Sequence, residues 1–523
     1  MKNSTIVKLL CTLCVTCFLV IPAGAYQAPT RNHSTTGLAN TDFDPLVDIV
    51  VNVELRAIRA FDKLDIQEFS QKKIDLWSDP DFYVKVFIND VEFRSDIWRN
   101  TKYLYNIQWS ATLNVPDDQE FVTVKIQLWD WNFGRDRICD ISRDTGQGYV
   151  DSCDAEMIYS IKTGTWWGDD YTDNDPLSAD PSGYGRLNGC DDGSIYSFER
   201  DCELWFNICQ NDFDHDTLPY WAEVYMYGTD PMIDNRGDDS DHDGCPIEWE
   251  HRFGHYFSPW SEQHFWFYNA TIWDDHMTLD PDSDGVSNYE EYLTSQWGSD
   301  PFRKDLFVEL DLMEPNPDGE WSTFPANAKE LLRTAYDRRN IVFYLDDDGF
   351  YGGGGELFPF KTQTTYEELQ AMYMEYFLHG DVNNWRRGVF HYCLLVYYSP
   401  PGGFVFWGGV GPYLDAFSLS THLFESDKVK PKTQHRRDIV YASALMHECG
   451  HTLGIFNGNT PGCDDQNGKY PWQKNFWIWR PYKSVMNYGY MYKIVDYSDG
   501  SRGRNDFNDW ARIDLTLFQR PMW

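Results

Sequence analysis

The chain has 523 residues, enough for about three domains. Its 82 acidic residues against 44 basic ones give a formal net charge of −38. A negative surplus of this size repels phosphate groups, so it excludes electrostatically driven binding to nucleic acid. It is typical of a protein that binds many cations or is adapted to salt.

The first 25 residues have the three parts of a secretory signal. Lys2 and Lys8 give a positive start, residues 9–21 form an apolar run, and Ala23-Gly24-Ala25 offers small residues for cleavage. The run is too short to be a good membrane span. We therefore expect residues 1–25 to be a signal peptide, residues 26–43 a polar linker, and the mature protein to be secreted.

Nine cysteines follow the signal, and an exported protein with this many is expected to form disulfide bonds. Proximity favours Cys139 with Cys153. A bond between Cys449 and Cys463 would fix the segment after the helix that carries Cys449. Because nine is odd, at least one cysteine stays free or pairs between chains.

Residues 44–210 alternate β-branched or aromatic residues with polar ones, in short runs separated by polar turns. Three such runs are residues 46–55, 82–88 and 121–129. Short strands at this spacing predict an N-terminal all-β sandwich or barrel.

Acidic residues lie at the ends of these runs, in Asp79-Pro80-Asp81-Phe82 and in Trp129-Asp130-Trp131-Asn132. Both segments resemble loops of the C2 domain, a calcium-dependent phospholipid-binding sandwich. The resemblance implies calcium held between carboxylates of the two loops, although Asn132 stands where that family usually has Asp. Contact with a membrane surface is disfavoured because anionic lipid would repel this chain unless a metal bridged them.

Residues 211–304 contain one spacing of acidic residues three times, at positions 1, 3, 5 and 12 of a twelve-residue loop. The sets are Asp212, Asp214, Asp216 and Glu223; Asp239, Asp241, Asp243 and Glu250; and Asp280, Asp282, Asp284 and Glu291. Ca²⁺ takes six to eight oxygen ligands, which this spacing wraps around one ion. Gly244 and Gly285 stand at the sharply bent sixth position, where the first loop has Thr217. The loops resemble EF-hand loops and, still more, thrombospondin type-three repeats, which implies several structural calcium ions and short helices after the loops.

The pattern of residues 305–523 predicts strands and helices in the order β-α-β-α-β. The segments are residues 306–310, 326–338, 341–345, 365–377 and 389–398. This order favours a mixed sheet backed by helices, the core of a C-terminal α+β domain. Residues 405–410 are a candidate for the strand at the sheet's edge.

The strongest motif in this domain is His447-Glu448-Cys449-Gly450-His451, with Gly454 three residues later. Residues four apart lie on one face of a helix, so His447 and His451 can bind one metal ion, and neutral imidazole suits Zn²⁺. Glu448 lies beside them and could take a proton from a water on the metal.

Downstream lies Ser484-Val485-Met486-Asn487-Tyr488. Together with the histidine motif this resembles the metzincin family of zinc peptidases, whose active-site helix ends at the glycine and whose Met-turn has this pattern. The resemblance covers roughly residues 305–523. It implies that Met486 lies beneath the metal and that Tyr488 stabilises an oxyanion.

The third metal ligand departs from the family pattern. Metzincins usually have His or Asp three residues after the glycine, and this chain has Asn457. An amide oxygen is a poor ligand for Zn²⁺ beside imidazole or carboxylate. Either Asn457 binds weakly, or Asp464 or Asp465 replaces it.

Two functions follow from these observations. The favoured one is a secreted, calcium-stabilised zinc endopeptidase that hydrolyses peptide bonds with a metal-activated water, with Zn²⁺ and several Ca²⁺ ions as cofactors. Its partner is a protein or peptide substrate and not a nucleic acid; its oligomeric state stays open. The alternative is a calcium-dependent extracellular adhesion or envelope protein whose peptidase domain is inactive, which Asn457 would explain.

Overall fold

The computed structural model describes residues 48–61, 79–143, 153–170, 185–191, 193, 195, 200–258, 263–317, 323–399, 403–405, 415–426, 429 and 431–519. The predicted signal peptide and linker, residues 1–43, lie outside this part of the chain. Residues 48–523 form a single unit by their internal contacts. Within the described residues no helix combines the length and apolar character needed to span a bilayer.

The N-terminal region is built from two antiparallel sheets. The first contains strands β1 (Val50–Ala60), β4 (Tyr103–Tyr105), β5 (Ser110–Asn114), β10 (Gly185–Asn188) and β11 (Cys202–Gln210). The second contains β2 (Phe82–Ile88), β3 (Val91–Arg94), β6 (Phe121–Asp130), β7 (Arg137–Cys139), β8 (Ala155–Ser160) and β9 (Trp166–Gly168). The ring of Trp166 lies 5.8 Å from that of Phe206, which joins the two sheets through their buried side chains. A β-rich N-terminal region is thus confirmed.

Protein donors already surround the acidic residues at the ends of β2 and β6. The Asp81 carboxylate accepts from Arg99 at 3.2 Å and from the backbone of Asn100 at 2.7 Å. Asp130 is fully buried and accepts from the Asn132 amide at 2.6 Å. These contacts involve both carboxylates, and the C2-type calcium expected here stays a prediction.

The central segment places a short helix after each acidic loop. The first loop is followed by one π-helical turn (Ala222–Tyr227), the second by α1 (Ile247–Gly254), and the third by α2 (Asn288–Thr294) and a 3₁₀ turn (Ser295–Trp297). Strands β12 (His255–Ser258) and β13 (Gln263–Trp266) form a hairpin after α1. Pro246 is the N-cap of α1, and Ser287 forms a capping box with Glu290 at the start of α2. The predicted short helices are therefore present.

The C-terminal region is a mixed sheet with helices, as predicted. Its strands are β14 (Lys304–Met313), β15 (Ile341–Asp346), β16 (Leu357–Phe358), β17 (Phe390–Val396), β18 (Gly403–Val405) and β19 (Ala416–Ser420). The main order is β15-β14-β17-β19-β18, all parallel except β18, which is antiparallel to β19 and ends the sheet among the described strands. Most of the edge strand predicted at 405–410 lies outside the described residues.

Several helices accompany this sheet. They are α3 (Ala326–Asp337), α4 (Tyr366–Met372) with a π-helical continuation (Tyr373–Phe377), α5 (Thr421–Phe424), α6 (Gln434–Thr452) and α7 (Lys474–Ile478). Short 3₁₀ turns lie before α7 at Gln466–Gly468 and after it at Leu517–Gln519. One large apolar cluster joins α3, α6 and one face of the sheet and includes Leu332, Leu310, Leu445 and Met486. Helix α6 is buried along nearly its whole length, which fixes its position in the domain.

A buried ionic cluster connects the β-rich region to α3. Arg59 of β1 lies 3.0 Å from Glu203 of β11 and also contacts Asp337 at the end of α3. Arg186 of β10 bonds Glu203 and donates to the backbone carbonyl of Asp337 at 3.2 Å. Breaking a buried pair leaves an uncompensated charge, at a cost of about 3–5 kcal/mol. The cluster therefore ties the first sheet to the C-terminal region.

Cys139, Cys449 and Cys463 are thiols, so neither of the two disulfide bonds predicted above is formed. Cys449 contacts Thr452 one turn along its own helix, at 3.9 Å. The Cys463 thiol faces the Asp464 carboxylate instead, at 3.5 Å. Sequence proximity did not indicate that these two side chains point to different neighbours.

The buried side chain of His391 is expected to make the folded protein less stable in acid. Its ring is buried against Phe518 at 4.0 Å, and neither ring nitrogen has a hydrogen-bond partner among the described residues. Burial lowers the pKa of His391 to about 3. In the unfolded chain the His391 imidazole takes up a proton near pH 6.5. The free energy of unfolding therefore falls as the pH drops below that value, by up to about 1.4 kcal/mol per pH unit.

Urea unfolding at several pH values measures this effect. We expect His391→Leu, which keeps an apolar side chain of similar size against Phe518, to show a shallower loss of unfolding free energy than the wild type between about pH 6 and pH 4. Equal slopes would mean that His391 does not titrate between the two states.

Candidate metal centres

Helix α6 positions the two histidines of the motif. Its N-cap is Thr433, whose side chain accepts from the backbone of Arg436. His447 and His451 stand one turn apart on the same face, with ring centroids 5.0 Å apart and planes at 85°. The buried helix therefore presents both imidazoles at one place.

Backbone carbonyls fix the orientation of both imidazoles. His447 Nδ1 lies 2.8 Å from the carbonyl oxygen of Val485, and His451 Nδ1 lies 2.7 Å from that of Ile455. A carbonyl can only accept, so each Nδ1 carries the hydrogen and each neutral ring keeps a lone pair on Nε2. Metal-ligating histidines are held in the same way by a partner on the other nitrogen.

The carboxylate of Asp464 faces both Nε2 atoms. Its two oxygens lie 3.2 Å from His447 Nε2 and 3.4 Å from His451 Nε2. These three residues form a group whose donor atoms lie within 4.8 Å of one another.

Two lone pairs directed at a carboxylate repel it unless a cation lies between them. Asp464 Oδ1 is buried and has no hydrogen-bond partner within the described part of the chain. Two imidazoles and one carboxylate are a donor set that suits Zn²⁺. The arrangement of His447, His451 and Asp464 thus fits a zinc ion.

The backbone explains why Asp464 is the third member. Its φ is 57°, a left-handed conformation that Asp tolerates better than most residues, and its N–H donates to the carbonyl of Met486 at 3.1 Å. Asn457 takes another role, because its side-chain amide donates to the carbonyl of Cys463 at 2.8 Å. Of the residues left open for this position, Asp464 is therefore the one that joins the histidines, and Asn457 supports the peptide next to it.

Asp465, the other alternative, points elsewhere. Its Oδ2 accepts from the Asn475 amide at 2.7 Å and from the Trp479 indole at 2.8 Å. Asp465 thus holds helix α7 to the loop and is absent from the group formed by the two histidines.

Met486 packs against helix α6 at Gly450, and Tyr488 packs against His447. Met486 is fully buried, and its sulfur would be 2.6 Å from a Cβ added to Gly450, so the helix needs glycine at this point. The ring of Tyr488 stacks on His447 with centroids 5.5 Å apart. Burial raises the pKa of Tyr488, and the Asp464 charge adds to this, so the phenol keeps its proton at neutral pH.

Glu448 is buried in the helix between the two histidines. Burial raises the pKa of Glu448 above its usual value. A carboxylate with a raised pKa is a better proton acceptor near neutral pH than an exposed one.

The three acidic loops share one backbone geometry. At position 4 the chain is left-handed in all three, with φ of 69° at His215, 65° at His242 and 62° at Ser283. The N–H at position 6 donates to the first acid of each loop, from Thr217 at 2.8 Å, Gly244 at 3.1 Å and Gly285 at 3.1 Å. Thr217 adopts a φ of 80° where the other two loops have glycine. The predicted repeat is therefore a repeat in conformation as well as in sequence.

Each fifth-position acid also binds a segment further along the chain. The second oxygen of Asp216 accepts from the backbone of Asn235 at 3.3 Å, that of Asp243 from Asp274 at 3.1 Å, and that of Asp284 from Asp305 at 2.6 Å. The same backbone-to-carboxylate hydrogen bond occurs in all three loops, so each loop is held by a later segment of the chain.

The chemistry of the loops fits cations. Carboxylate oxygens of Asp214, Asp241 and Asp282, the third-position acids, are buried with no hydrogen-bond partner among the residues described. Burial and then neighbouring carboxylates raise the pKa of Glu223 to about 8. Oxygen-rich groups of this kind suit Ca²⁺. The acidic groups Asp212–Asp214–Asp216 and Asp239–Asp241–Asp243 are candidate metal sites on donor distances alone.

No protein-family model and no curated protein matches the chain. Among solved structures, the chain is similar to a C2 domain at 10% identity and TM-score 0.18, over 31% of this chain and 97% of the other. It is also similar to a C2 domain of plant extended synaptotagmin 1 (11%, TM-score 0.17, 30% and 92%) and to a C2 domain protein from Ramazzottius varieornatus (9%, TM-score 0.17, 31% and 87%). Likeness this slight carries no argument about this chain.

Proposed function

We propose that this chain is a secreted, zinc-dependent endopeptidase of the metzincin type, with calcium ions stabilising the loops of residues 211–304. The observation that carries the proposal is the meeting of His447 Nε2, His451 Nε2 and the Asp464 carboxylate, with both Nδ1 atoms held by backbone carbonyls. Glu448, Met486 and Tyr488 around this group support it.

Zinc, when bound, supplies a Lewis acid that polarises a water and the scissile carbonyl. Glu448 receives the proton that the attacking water loses and passes it to the leaving amine. Its raised pKa matches both roles, because the group must hold the proton briefly and then release it.

The Tyr488 hydroxyl donates a hydrogen bond to the oxyanion that forms as the carbonyl is attacked. The phenol is suited to this because its proton is retained at neutral pH. Its stacking on His447 keeps the ring beside the group of metal ligands.

Strand β18 offers a place for an extended substrate. Among the described strands it is the antiparallel edge of the sheet, and its backbone lies near α6. An edge strand can pair with a peptide through backbone hydrogen bonds. This geometry favours cleavage within a chain, which is why we propose an endopeptidase.

Removal and return of the metal tests the proposal. Dialysis against a chelator selective for transition metals, with calcium present throughout, is expected to abolish cleavage of an unfolded protein substrate. Stoichiometric Zn²⁺ should restore it, and Mg²⁺ should not, because imidazole ligands favour zinc. Undiminished cleavage by the zinc-free protein would contradict the proposal.

A further inference from the structure

The second acidic loop differs from its neighbours in recruiting a histidine. His276 is fully buried, and its Nε2 lies 3.2 Å from Asp243 Oδ2 and 3.6 Å from Glu250 Oε1. Neither approach has hydrogen-bond geometry, so Nε2 has no hydrogen-bond partner among the described residues. A fully buried imidazole nitrogen thus points into the acidic group, at ion-pair distance from two carboxylates.

Cys245 brings a sulfur to the same place. Its thiol, the Asp243 carboxylate and a His276 nitrogen lie within 4.8 Å of one another, and all three residues are buried. Glu250 and Asp274 form a second such group around the same histidine. His276 therefore stands at the centre of nitrogen, sulfur and oxygen donors.

The other two loops present a different chemistry. The first has a group of carboxylates alone, Asp212, Asp214 and Asp216. In the third loop, the Asp284 carboxylate accepts from the backbone N–H of Asp305. Oδ1 of Asp305 is also buried without a hydrogen-bond partner in the described chain. Oxygen-only sites suit Ca²⁺, whereas imidazole and thiolate favour transition metals such as Zn²⁺.

The hydrogen-bond partner of His276 Nδ1 decides whether Nε2 can be a metal ligand. In the orientation shown, the side-chain nitrogen of Asn288 donates to Nδ1 at 3.0 Å, and the Asn288 oxygen accepts from the Tyr268 hydroxyl at 3.4 Å. A half-turn of the Asn288 amide lets its oxygen accept from Nδ1–H. The lone pair then lies on Nε2, which faces Asp243 and Glu250.

We propose that the second loop is a transition-metal site of the zinc class, bound by His276, Cys245, Asp243 and Glu250, in place of the calcium ion that its acidic spacing predicts. Rings of Trp249 and Tyr268 enclose His276, with centroids 5.7 and 5.0 Å away, and keep the site dry. This site is separate from the group on helix α6.

Cobalt(II) tests the inference because it reports thiolate ligation by its absorption spectrum. The full-length protein carries His447→Ala and His451→Ala to remove the helix α6 site, and excess calcium is present. We expect this protein to bind one Co²⁺ per chain with a sulfur-to-cobalt charge-transfer band. Adding Cys245→Ser should remove the band while most of the cobalt stays bound, and adding His276→Asn should abolish binding.

His242→Asn is the matched control, because this exposed histidine in the same loop should not affect cobalt uptake. Failure of the starting protein to bind Co²⁺ would overturn the inference, as would equal uptake after His276→Asn. If the His276→Asn protein does not fold, the Cys245→Ser spectrum decides: a charge-transfer band that persists overturns the inference. None of these outcomes depends on peptidase activity, so the proposed function stands or falls separately.

Discussion

Replacing Glu448 with glutamine is expected to lower peptide hydrolysis by about 10²- to 10⁴-fold while zinc stays bound. Glutamine has nearly the same shape but cannot accept the proton of the attacking water. Glu448 does not belong to the group formed by His447, His451 and Asp464, so the metal ligands remain. The measurements are the steady-state rate on an unfolded protein substrate and the zinc content of the same sample.

Glu425→Gln provides the matched control. Glu425 directly follows α5, and its carboxylate pairs at 2.9 Å with Arg437 near the beginning of α6, so this change removes one charge near α6 without altering the site. Its activity should stay close to that of the wild type. A Glu448→Gln protein that cleaves at the wild-type rate would show that another group moves the proton.

Loss of calcium from the third loop is expected to reduce both stability and peptidase activity. The carbonyl of Gly285 in this loop accepts from the Gln519 side chain, which also bonds the carbonyl of Gly388 at 2.6 Å. The C-terminal segment that carries Gln519 therefore rests directly on the loop.

The same segment supports the end of helix α6. The Asp514 N–H donates to the carbonyl of Leu453 at 3.0 Å, and Leu517 would lie 3.2 Å from a Cβ at Gly454. Ile455, the next residue, supplies the carbonyl that orients His451. A chain of direct contacts thus runs from the third loop to a proposed zinc ligand.

Glu291→Gln removes the twelfth-position ligand of that loop. Calcium at a hundred times its Kd stabilises a protein by about 2.7 kcal/mol, so the variant should lose stability of this order. Activity should fall about 5-fold or more if the coupling is of ordinary size. Thermal unfolding with and without calcium and the hydrolysis rate measure the two effects.

The first loop supplies the control for this experiment. Glu223→Gln removes the equivalent ligand, but the contacts of Glu223 are local, such as that with the Thr229 hydroxyl at 3.4 Å. This variant should lose a calcium ion and keep the hydrolysis rate. Equal loss of activity in both variants would mean that calcium acts on the whole segment and not through residues 514–519.

The sequence predicts the helices and strands of the C-terminal region closely, because their apolar patterns are long and regular. The helix predicted at 326–338 is Ala326–Asp337, and the strand predicted at 341–345 is Ile341–Asp346. The sequence predicts the acidic loops equally well, because the spacing of the acidic residues decides which oxygens can surround one ion.

Other features depend on contacts that spacing does not reveal. Asp464 joins the histidines because of its left-handed backbone and the carbonyl of Met486. His276 reaches the second loop from 26 residues beyond Glu250, through a fold that no motif indicates. The expected disulfide between Cys449 and Cys463 is absent for the same reason, because the two side chains have separate partners.

Zinc content is the most direct measure of whether His447, His451 and Asp464 hold the metal. Elemental analysis compares the wild type with Asp464→Ala and with Asp465→Ala, which alters the adjacent carboxylate that binds Asn475 and Trp479. We predict that Asp464→Ala lowers the zinc content by one ion per chain and that Asp465→Ala leaves it unchanged. An undiminished zinc content in Asp464→Ala, with the fold retained, would contradict the proposed metal centre.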